Sequence, residues 1–519
     1  MVVIPERFNI AEWFVERPAQ AHPTRLAFAG GATPVTYGEL CDMVREVGAA
    51  LLACGVSPGD RILIALPDSA EFAAAFFGAA RIGAFAVPVN PFSRAADFAY
   101  YSADCGAALA VVHGSVLGEF RGARESGIPE RVVVVGPAPP RVAELDSIAW
   151  DEWLDGRTTQ LEPAATKATD PAFFLYTSGS TGGPKAAVHQ HKDMLVTYET
   201  FARSILQITE SDRTFSVSKL YFAYGLGNGL YFPLGAGAST ILDGERPRPE
   251  RVLALVEKLR PTLFFSVPTF YATLLREAEG RNVDFSSVRM AVSAGEALPV
   301  EIFERFKNRF GLEILDAIGS TEMLHMFISN LPGKIRPGSC GLPLPGYNAQ
   351  IVDDHGTPVP ARQVGSLWVR GGSAFAEYWN KPEKTAHARR ADGWIVTGDK
   401  FYRDADGYYY YCGRADDMMK VSGQWVSPTE VENALLGHAA VAEAAVVAFR
   451  EETKLYTPKA FVVLKNGIKP GPELVRELQE FVKQRITSYK YPRHVEFVPE
   501  LPKSASGKVL RYKLRQPES

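Results

Sequence analysis

Six short stretches of this chain hold the residue types that chemistry needs. The first, YTSGSTGGPK at 176–185, packs three glycines, four hydroxyl-bearing threonines and serines, and a lysine into ten positions. It follows the apolar run Ala172-Phe173-Phe174-Leu175. Glycine lets a backbone approach a ligand and turn its N–H groups inward. Thr177, Ser178, Ser180 and Thr181 add donors and Lys185 adds a positive charge. That composition suits phosphate; a plain surface loop is the bland alternative. The Walker pattern does not fit, because Pro184 follows the glycines and Ala186, with no hydroxyl for a metal, follows Lys185. The other stretches are SAGEALP at 293–299, DAIGSTE at 316–322, TGD at 397–399, YCGRADDMMKVSG at 411–423 and PKSASGK at 502–508.

The elements that must position them alternate. Arg61–Leu66, Phe85–Val89, Ala108–Val112 and Arg131–Val135 read as near-continuous apolar strands. Ser69 is placed to cap a helix running to Ile82. Residues 137–163, rich in proline and charge, read as a connection to the glycine stretch. Strands at Ala238–Leu242, Thr262–Val267 and Val288–Val292 then alternate with helices at Pro249–Leu259, Pro268–Ala278 and Val300–Phe310. Three of the polar stretches fall at strand ends, where open α/β sheets take their ligands. From Pro337 the pattern becomes antiparallel, with strands at Tyr347–Val352 and Gly365–Arg370, and Tyr408–Tyr411 reads as a strand face. Past Gly413 a small α+β unit follows, ending in a basic tail.

At 519 residues the chain exceeds one core, so two or more domains are expected. Net charge is −3, from 56 basic and 59 acidic residues, which speaks against nucleic acid as a partner. Five cysteines without C-x-x-C spacing exclude a zinc ribbon and suggest a reducing cytoplasm. The most apolar region, Phe72–Val89, is broken by Arg81 and Pro88 and reads as a core helix and strand, so no membrane partner is expected. The N-terminus has no secretory pattern. The pair His189 and His191 lacks a nearby third metal ligand.

In this order and at these separations, the six stretches resemble the acyl-adenylate-forming (AMP-binding) superfamily of acyl-CoA synthetases, adenylation domains and luciferases. The resemblance implies that a carboxylate attacks the α-phosphorus of ATP, giving acyl-AMP and pyrophosphate, and that a thiol then displaces AMP. Positioning and charge neutralisation are the protein's main tasks in such a transfer. The implied fold class is α/β. Residues 1–415 would form a large N-terminal domain of mostly parallel sheets covered by helices plus a small β-barrel-like part. Residues 416–519 would form a small mobile α+β C-terminal domain, with its hinge at Asp416.

The resemblance also assigns roles. Thr177, Ser178, Gly179, Ser180, Thr181, Gly182 and Lys185 would hold the outer phosphates of ATP. Gly295, Glu296 and Ala297, with Asp316, match the adenine-binding stretch. Asp399 would accept the ribose hydroxyls, with Arg414 assisting. Thr321 would meet the α-phosphate and Glu322 would offer an oxygen to Mg²⁺. Lys508 would reach the carboxylate and α-phosphate during adenylation, where a flexible ammonium suits charge that grows in one step.

Lys219–Asn228 and Gly319–Asn330, with the stretch from Asp399 to Pro428, resemble the benzoate-CoA ligase branch. That implies benzoate, ATP and coenzyme A as substrates, with Mg²⁺. The implied acid slot is walled by Phe222, Ala223, Tyr224, Ile318, Gly319 and His325, and His325 reads equally as a satisfied core histidine. The rivals are a 4-hydroxybenzoate or other aryl-acid CoA ligase, and a stand-alone adenylation domain loading a carrier protein. A third is a non-catalytic binder, against which Lys508, Glu322, Asp399 and Arg414 argue. Arg511, Lys513 and Arg515 read as exposed charge, with the phosphates of coenzyme A as the alternative. A homodimer stays open.

Overall fold

The computed structural model describes residues 2–31, 33–123, 127–137, 145–177, 183–421, 424–451, 456–503 and 509–515. Among them, two large sheets dominate. One has eight strands in the order Glu377–Tyr378, Lys185–Gln190, Pro171–Thr177, Phe85–Pro88, Arg61–Ala65, Ala107–His113, Arg131–Val135 and Asp146–Ala149. The other has nine, in the order Leu342–Pro343, Met326–Ser329, Ile314–Gly319, Met290–Ser293, Leu263–Ser266, Arg213–Ser216, Ser239–Leu242, Leu26–Gly30 and Val35–Thr36. The inner pairs are parallel and the outer ones antiparallel, except that the edge strand Asp146–Ala149 runs parallel to Arg131–Val135.

Alternation along the strands explains the layers. Successive side chains point to opposite faces of a sheet. Ile62 and Ile64 of one sheet, and Phe265, Val292 and Leu315 of the other, belong to one continuous core that also holds helices Tyr37–Ala53 and Ala70–Arg81. The intervening residues face outwards into separate cores. Leu63 and Ala65 meet the helix Ala95–Cys105 side, while Phe264, Ala291 and Ile314 meet helices Pro249–Leu259, Pro268–Glu277 and Val300–Phe310. Both faces of each sheet are therefore buried, which is why these strands read as unbroken apolar runs. Ser69 caps its helix by accepting the Phe72 N–H, as its position predicts.

The region expected to be barrel-like is a four-stranded antiparallel sheet of Asn348–Val352, Gly365–Arg370, Ile395–Arg403 and Tyr409–Arg414. Tyr410 stacks on Tyr402 at 4.8 Å, as a strand face should. The C-terminal unit packs helices Pro428–Leu436 and Pro472–Arg485 on a three-stranded sheet of Val441–Arg450, Tyr456–Leu464 and His494–Phe497. One sequence reading is corrected. Residues 137–163 are more than a connection, since Asp146–Ala149 is the edge strand of the eight-stranded sheet and Trp150–Leu154 a helix. An edge strand has one partner and needs only a short pattern, which leaves little periodicity to read. Among the described residues no helix is long and apolar enough to cross a membrane.

Candidate active site

The strand Ile314–Gly319 runs to the edge of its sheet and turns back through Thr321–Met323 into Met326–Ser329. Leu324 takes φ +64° in this turn, a backbone state rare for a branched residue. Thr321 and Glu322 sit at the tip. Three contacts hold that tip against the edge of the other sheet and its flanking chain. The Phe375 N–H donates to the Glu322 carbonyl at 2.8 Å. The Tyr378 hydroxyl donates to Glu322 Oε1 at 2.5 Å. His189 Nε2 lies 2.8 Å from the Thr321 carbonyl oxygen.

Lys185 begins the strand that carries His189 and lies opposite Thr177, the last residue of Pro171–Thr177. Its ammonium sits over the Tyr378 ring, 4.3 Å from the centroid. Burial holds the Lys185 pKa below the usual lysine range, and the Glu322 charge partly offsets that. Arg414 and Asp399 face each other across neighbouring strands, Arg414 Nη1 to Asp399 Oδ1 at 3.3 Å. Arg414 also donates to the Thr397 carbonyl at 3.2 Å and feels the Glu322 charge. Lys185, Glu322, Tyr378, Asp399 and Arg414 thus form one polar group.

Gly295 stands in the turn after Met290–Ser293 with φ +88°, exposed, and Glu296 and Ala297 beside it are half-buried. Asp316 is buried one strand over, and its Oδ1 has no hydrogen-bond partner among the described residues. Burial raises its carboxyl well above the usual carboxylate range, tempered by the Leu298 and Ala317 backbones.

The predicted acid slot is an aromatic box. Phe222 precedes the short helix Ala223–Leu226, and Tyr224 is anchored by its hydroxyl to the carbonyls of Ser266 (3.3 Å) and Val292 (3.2 Å). His325 is 2% exposed and lies among Phe232, Phe201 and Tyr224 at 4.5, 5.4 and 5.8 Å between centroids. Neither of its ring nitrogens makes a hydrogen bond of good geometry among the described residues, although the Tyr224 backbone acts on the ring. Burial pushes its pKa down to about 3, which keeps the ring neutral. Gly319 has a different reason from the slot: a Cβ there would lie 2.5 Å from the His325 carbonyl oxygen, so the hairpin itself demands glycine. Ile318 is half-buried before it.

Ser178, Gly179, Ser180, Thr181, Gly182 and Lys508 lie outside the described residues. Asp416 is exposed just beyond Arg414, its carboxylate 4.0 Å from Arg414 Nε. Two tail residues are corrected. Arg511 grips both oxygens of Glu432 at 2.7–3.1 Å, and Arg515 pairs with Asp417, so neither is free exposed charge. The sequence reading left out Tyr378 and considered His189 only as half of a metal pair. The two histidines have separate partners: His191 Nδ1 accepts the Ile10 N–H at 3.2 Å, away from His189's contacts. The signal for His189 was a charged-capable residue inside an apolar strand, followed by Asp193 four positions on.

Residues 15–379 match the family described as AMP-binding enzyme, and residues 430–508 match the AMP-binding enzyme C-terminal domain. The chain is 43% identical to a benzoate–CoA ligase of Thauera aromatica, over 99% of this chain and 97% of that one. It is 40% identical to a 4-hydroxybenzoate–CoA/benzoate–CoA ligase of Rhodopseudomonas palustris, over 98% and 94%. Among solved structures, an anthranilate CoA ligase in complex with anthranoyl-AMP superposes with a TM-score of 0.94 at 38% identity, covering 98% of this chain and 97% of that one. A benzoate CoA ligase from Burkholderia xenovorans superposes at 0.90 with 41% identity, covering 98% and 100%.

Proposed function

The chain belongs to the AMP-binding enzyme family, and on that premise we propose that it is an AMP-forming benzoate–CoA ligase. It joins benzoate to AMP at the expense of ATP, releases pyrophosphate, and transfers the benzoyl group to the thiol of coenzyme A. The observation that carries this reading is the aromatic box around His325 and Tyr224, whose His325 sits on the hairpin that carries Thr321 and Glu322 at its tip. A flat aryl ring fits such a box edge-on or stacked. Its carboxylate then points towards the polar group at the hairpin tip.

Each residue has a task in that scheme. The stretch Thr177–Lys185 grips the outer phosphates and lets pyrophosphate leave. Asp316, its carboxyl raised by burial, sits with Gly295, Glu296 and Ala297 at the adenine. Asp399, held by Arg414, takes the ribose hydroxyls. Thr321 meets the α-phosphate. The Glu322 carboxylate suits Mg²⁺, since its hydrogen bond comes from a neutral phenol and no contact ion pair consumes its charge among the described residues. Mg²⁺ there would offset charge building on the phosphates. Lys508 supplies the cation at the attacking carboxylate.

We place the domain boundary at Asp416, giving units 1–415 and 416–519, with the hinge there. Two facts support it. The four-stranded sheet ends at Arg414, and Met419, Val421 and Val426 already pack in the C-terminal core. The five cysteines are all free, which fits a cytoplasmic setting.

A second reading, a hydroxybenzoate ligase, rests on the nitrogens of His325, which make no hydrogen bond of good geometry among the described residues and could take a ring hydroxyl. A panel of acids in an ATP- and CoA-dependent assay separates the two. Benzoate should give the highest kcat/KM, ahead of 3- and 4-hydroxybenzoate. A site built to bond a ring hydroxyl would instead reject benzoate strongly. Preference for acetate or a long-chain acid would remove both readings.

A further inference from the structure

His189 is fully buried in the strand Lys185–Gln190, stacked on Phe173 at 5.3 Å. Its Nδ1 lies 2.9 Å from Asp193 Oδ2 and its Nε2 2.8 Å from the Thr321 carbonyl oxygen. Both partners only accept. The Asp193 carboxylate also takes the Gln190 N–H at 3.0 Å and the Lys192 ammonium at 2.7 Å. Burial would raise the Asp193 carboxyl, but Lys192 and the His189 hydrogen bond overcome this and hold it below the usual range. Each ring nitrogen of His189 thus faces an acceptor, one on each side of the ring. A buried polar cluster around a carboxylate gains little stability over well-packed apolar side chains. Its presence here calls for another reason.

That reason lies in what the strand connects. One end is Lys185, which closes the glycine stretch. Four residues on, His189 holds the carbonyl immediately before Glu322. Tyr378, paired opposite Ala187 of the same strand, holds the Glu322 side chain. The contacts span the two large sheets, joining positions far apart in the chain.

We infer that His189, backed by Asp193, is a positioning residue for acyl-AMP formation: it fixes the Thr321–Glu322 turn against the strand that starts at Lys185, and so sets the spacing between the outer phosphates and the phosphorus under attack. The inference rests on the adenylating function proposed above. An in-line attack tolerates little misplacement, and an error of about 1 Å can lower the rate about 100-fold.

The test uses His189→Leu, which keeps bulk against Phe173 but removes both hydrogen bonds, and His189→Gln, whose amide can still donate to the Thr321 carbonyl. Benzoate-dependent ATP–pyrophosphate exchange should fall about 100-fold in the Leu variant and about tenfold in the Gln variant. Reaction of preformed benzoyl-AMP with coenzyme A should stay within about twofold of wild type in both. Wild-type exchange in the Leu variant, or equal loss in both half-reactions, overturns the inference. Should the Leu variant not fold by circular dichroism, the Gln variant alone decides, and wild-type exchange in it is overturning. A wild-type protein without benzoate-dependent exchange would sink the functional reading instead. In that event, calorimetric binding of α,β-methylene-ATP with and without Mg²⁺ tests the positioning directly. Loss of the Mg²⁺ dependence in the Leu variant supports the role, and an unchanged dependence overturns it.

Discussion

Tyr378 donates its phenolic hydrogen to Glu322 at 2.5 Å, although Tyr378 lies on the eight-stranded sheet and Glu322 in a hairpin turn of the nine-stranded one. Burial and the Glu322 charge both raise the phenol's pKa well above the usual tyrosine range, so it stays a neutral donor. The carboxylate is thus oriented without being neutralised.

Tyr378→Phe isolates this bond, because phenylalanine keeps the ring beneath the Lys185 ammonium. The Mg²⁺ concentration needed for half-maximal acyl-AMP formation should rise about tenfold, the size of one hydrogen bond to a charged group. Thioester formation from preformed acyl-AMP should not change. An unaltered Mg²⁺ requirement would reduce Tyr378 to packing.

Gly227 governs the acid box from behind. A Cβ at Gly227 would lie 2.5 Å from His325 Cδ2 and 2.7 Å from Nε2. The ring cannot yield freely, with Phe201, Phe232 and Tyr224 around it. Gly227→Ala should push the imidazole into the slot and raise the KM for benzoate by roughly 10- to 100-fold, the range of a few kcal/mol of overpacking. The KM for ATP should hold. Steady-state kinetics with both substrates varied checks this, and a matched rise in both constants would point to general misfolding.

What the sequence discloses follows from the range of each interaction. Ser69 as a cap, and the helices at Pro249–Leu259 and Val300–Phe310, depend on neighbours within a few positions, and they stand where the pattern puts them. The Gly319-Ser320-Thr321-Glu322 turn was legible for the same reason, as a polar cluster ending a strand. Tyr378 was not. Its role comes from pairing with Ala187, and nothing local to Glu377–Tyr378 marks a two-residue strand that joins a distant sheet edge. His189 failed differently. Its partners are Asp193, four residues on, and Thr321, in a turn of the other sheet, so the spacing with His191, which lacks a third metal ligand, gave it no role. The neutrality of His325 likewise depends on three aromatic rings gathered from separate elements.

Acid should destabilise the fold through two buried histidines. Burial lowers the pKa of His325 to about 3 and of His191 to about 4, below the ordinary value of 6.5. Between 6.5 and those values the unfolded chain binds protons that the folded chain refuses. Their stabilisation is therefore complete above pH 6.5 and is lost as pH falls, at up to about 1.4 kcal/mol per pH unit for each. Asp68 opposes them. Burial raises its carboxyl from 3.8 to about 6, so in that window the folded state holds the extra proton and this group favours folding as pH falls. Asp316 and Asp417, whose carboxyls burial also raises, act in the same direction as Asp68, so the histidine share is read by substitution. In thermal unfolding between pH 7 and pH 5, His191→Gln should lose less Tm, or gain more, than wild type. A His191→Gln protein with the full wild-type slope would contradict this assignment.

Asp68 carries the last prediction, because it anchors the approach to the acid box. Its Oδ1 accepts the Leu220 N–H at 2.9 Å, and its Oδ2 lies 3.6 Å from the Lys219 ammonium. That ammonium also donates to the Asp243 carbonyl, whose side chain Arg251 grips. Asp68 follows a strand of the eight-stranded sheet and Lys219 follows one of the nine-stranded sheet, so the pair ties the two together just before Phe222 and Tyr224. Asp68→Asn can still accept the Leu220 N–H but strands a buried ammonium, which should cost about 3 kcal/mol of stability. It should also raise the KM for benzoate while leaving that for ATP alone. Adding Lys219→Met removes the stranded charge and should recover most of the stability. If the double variant regains stability but not benzoate affinity, the ion pair sets the loop. If Asp68→Asn binds benzoate as wild type does, packing alone places Phe222–Tyr224.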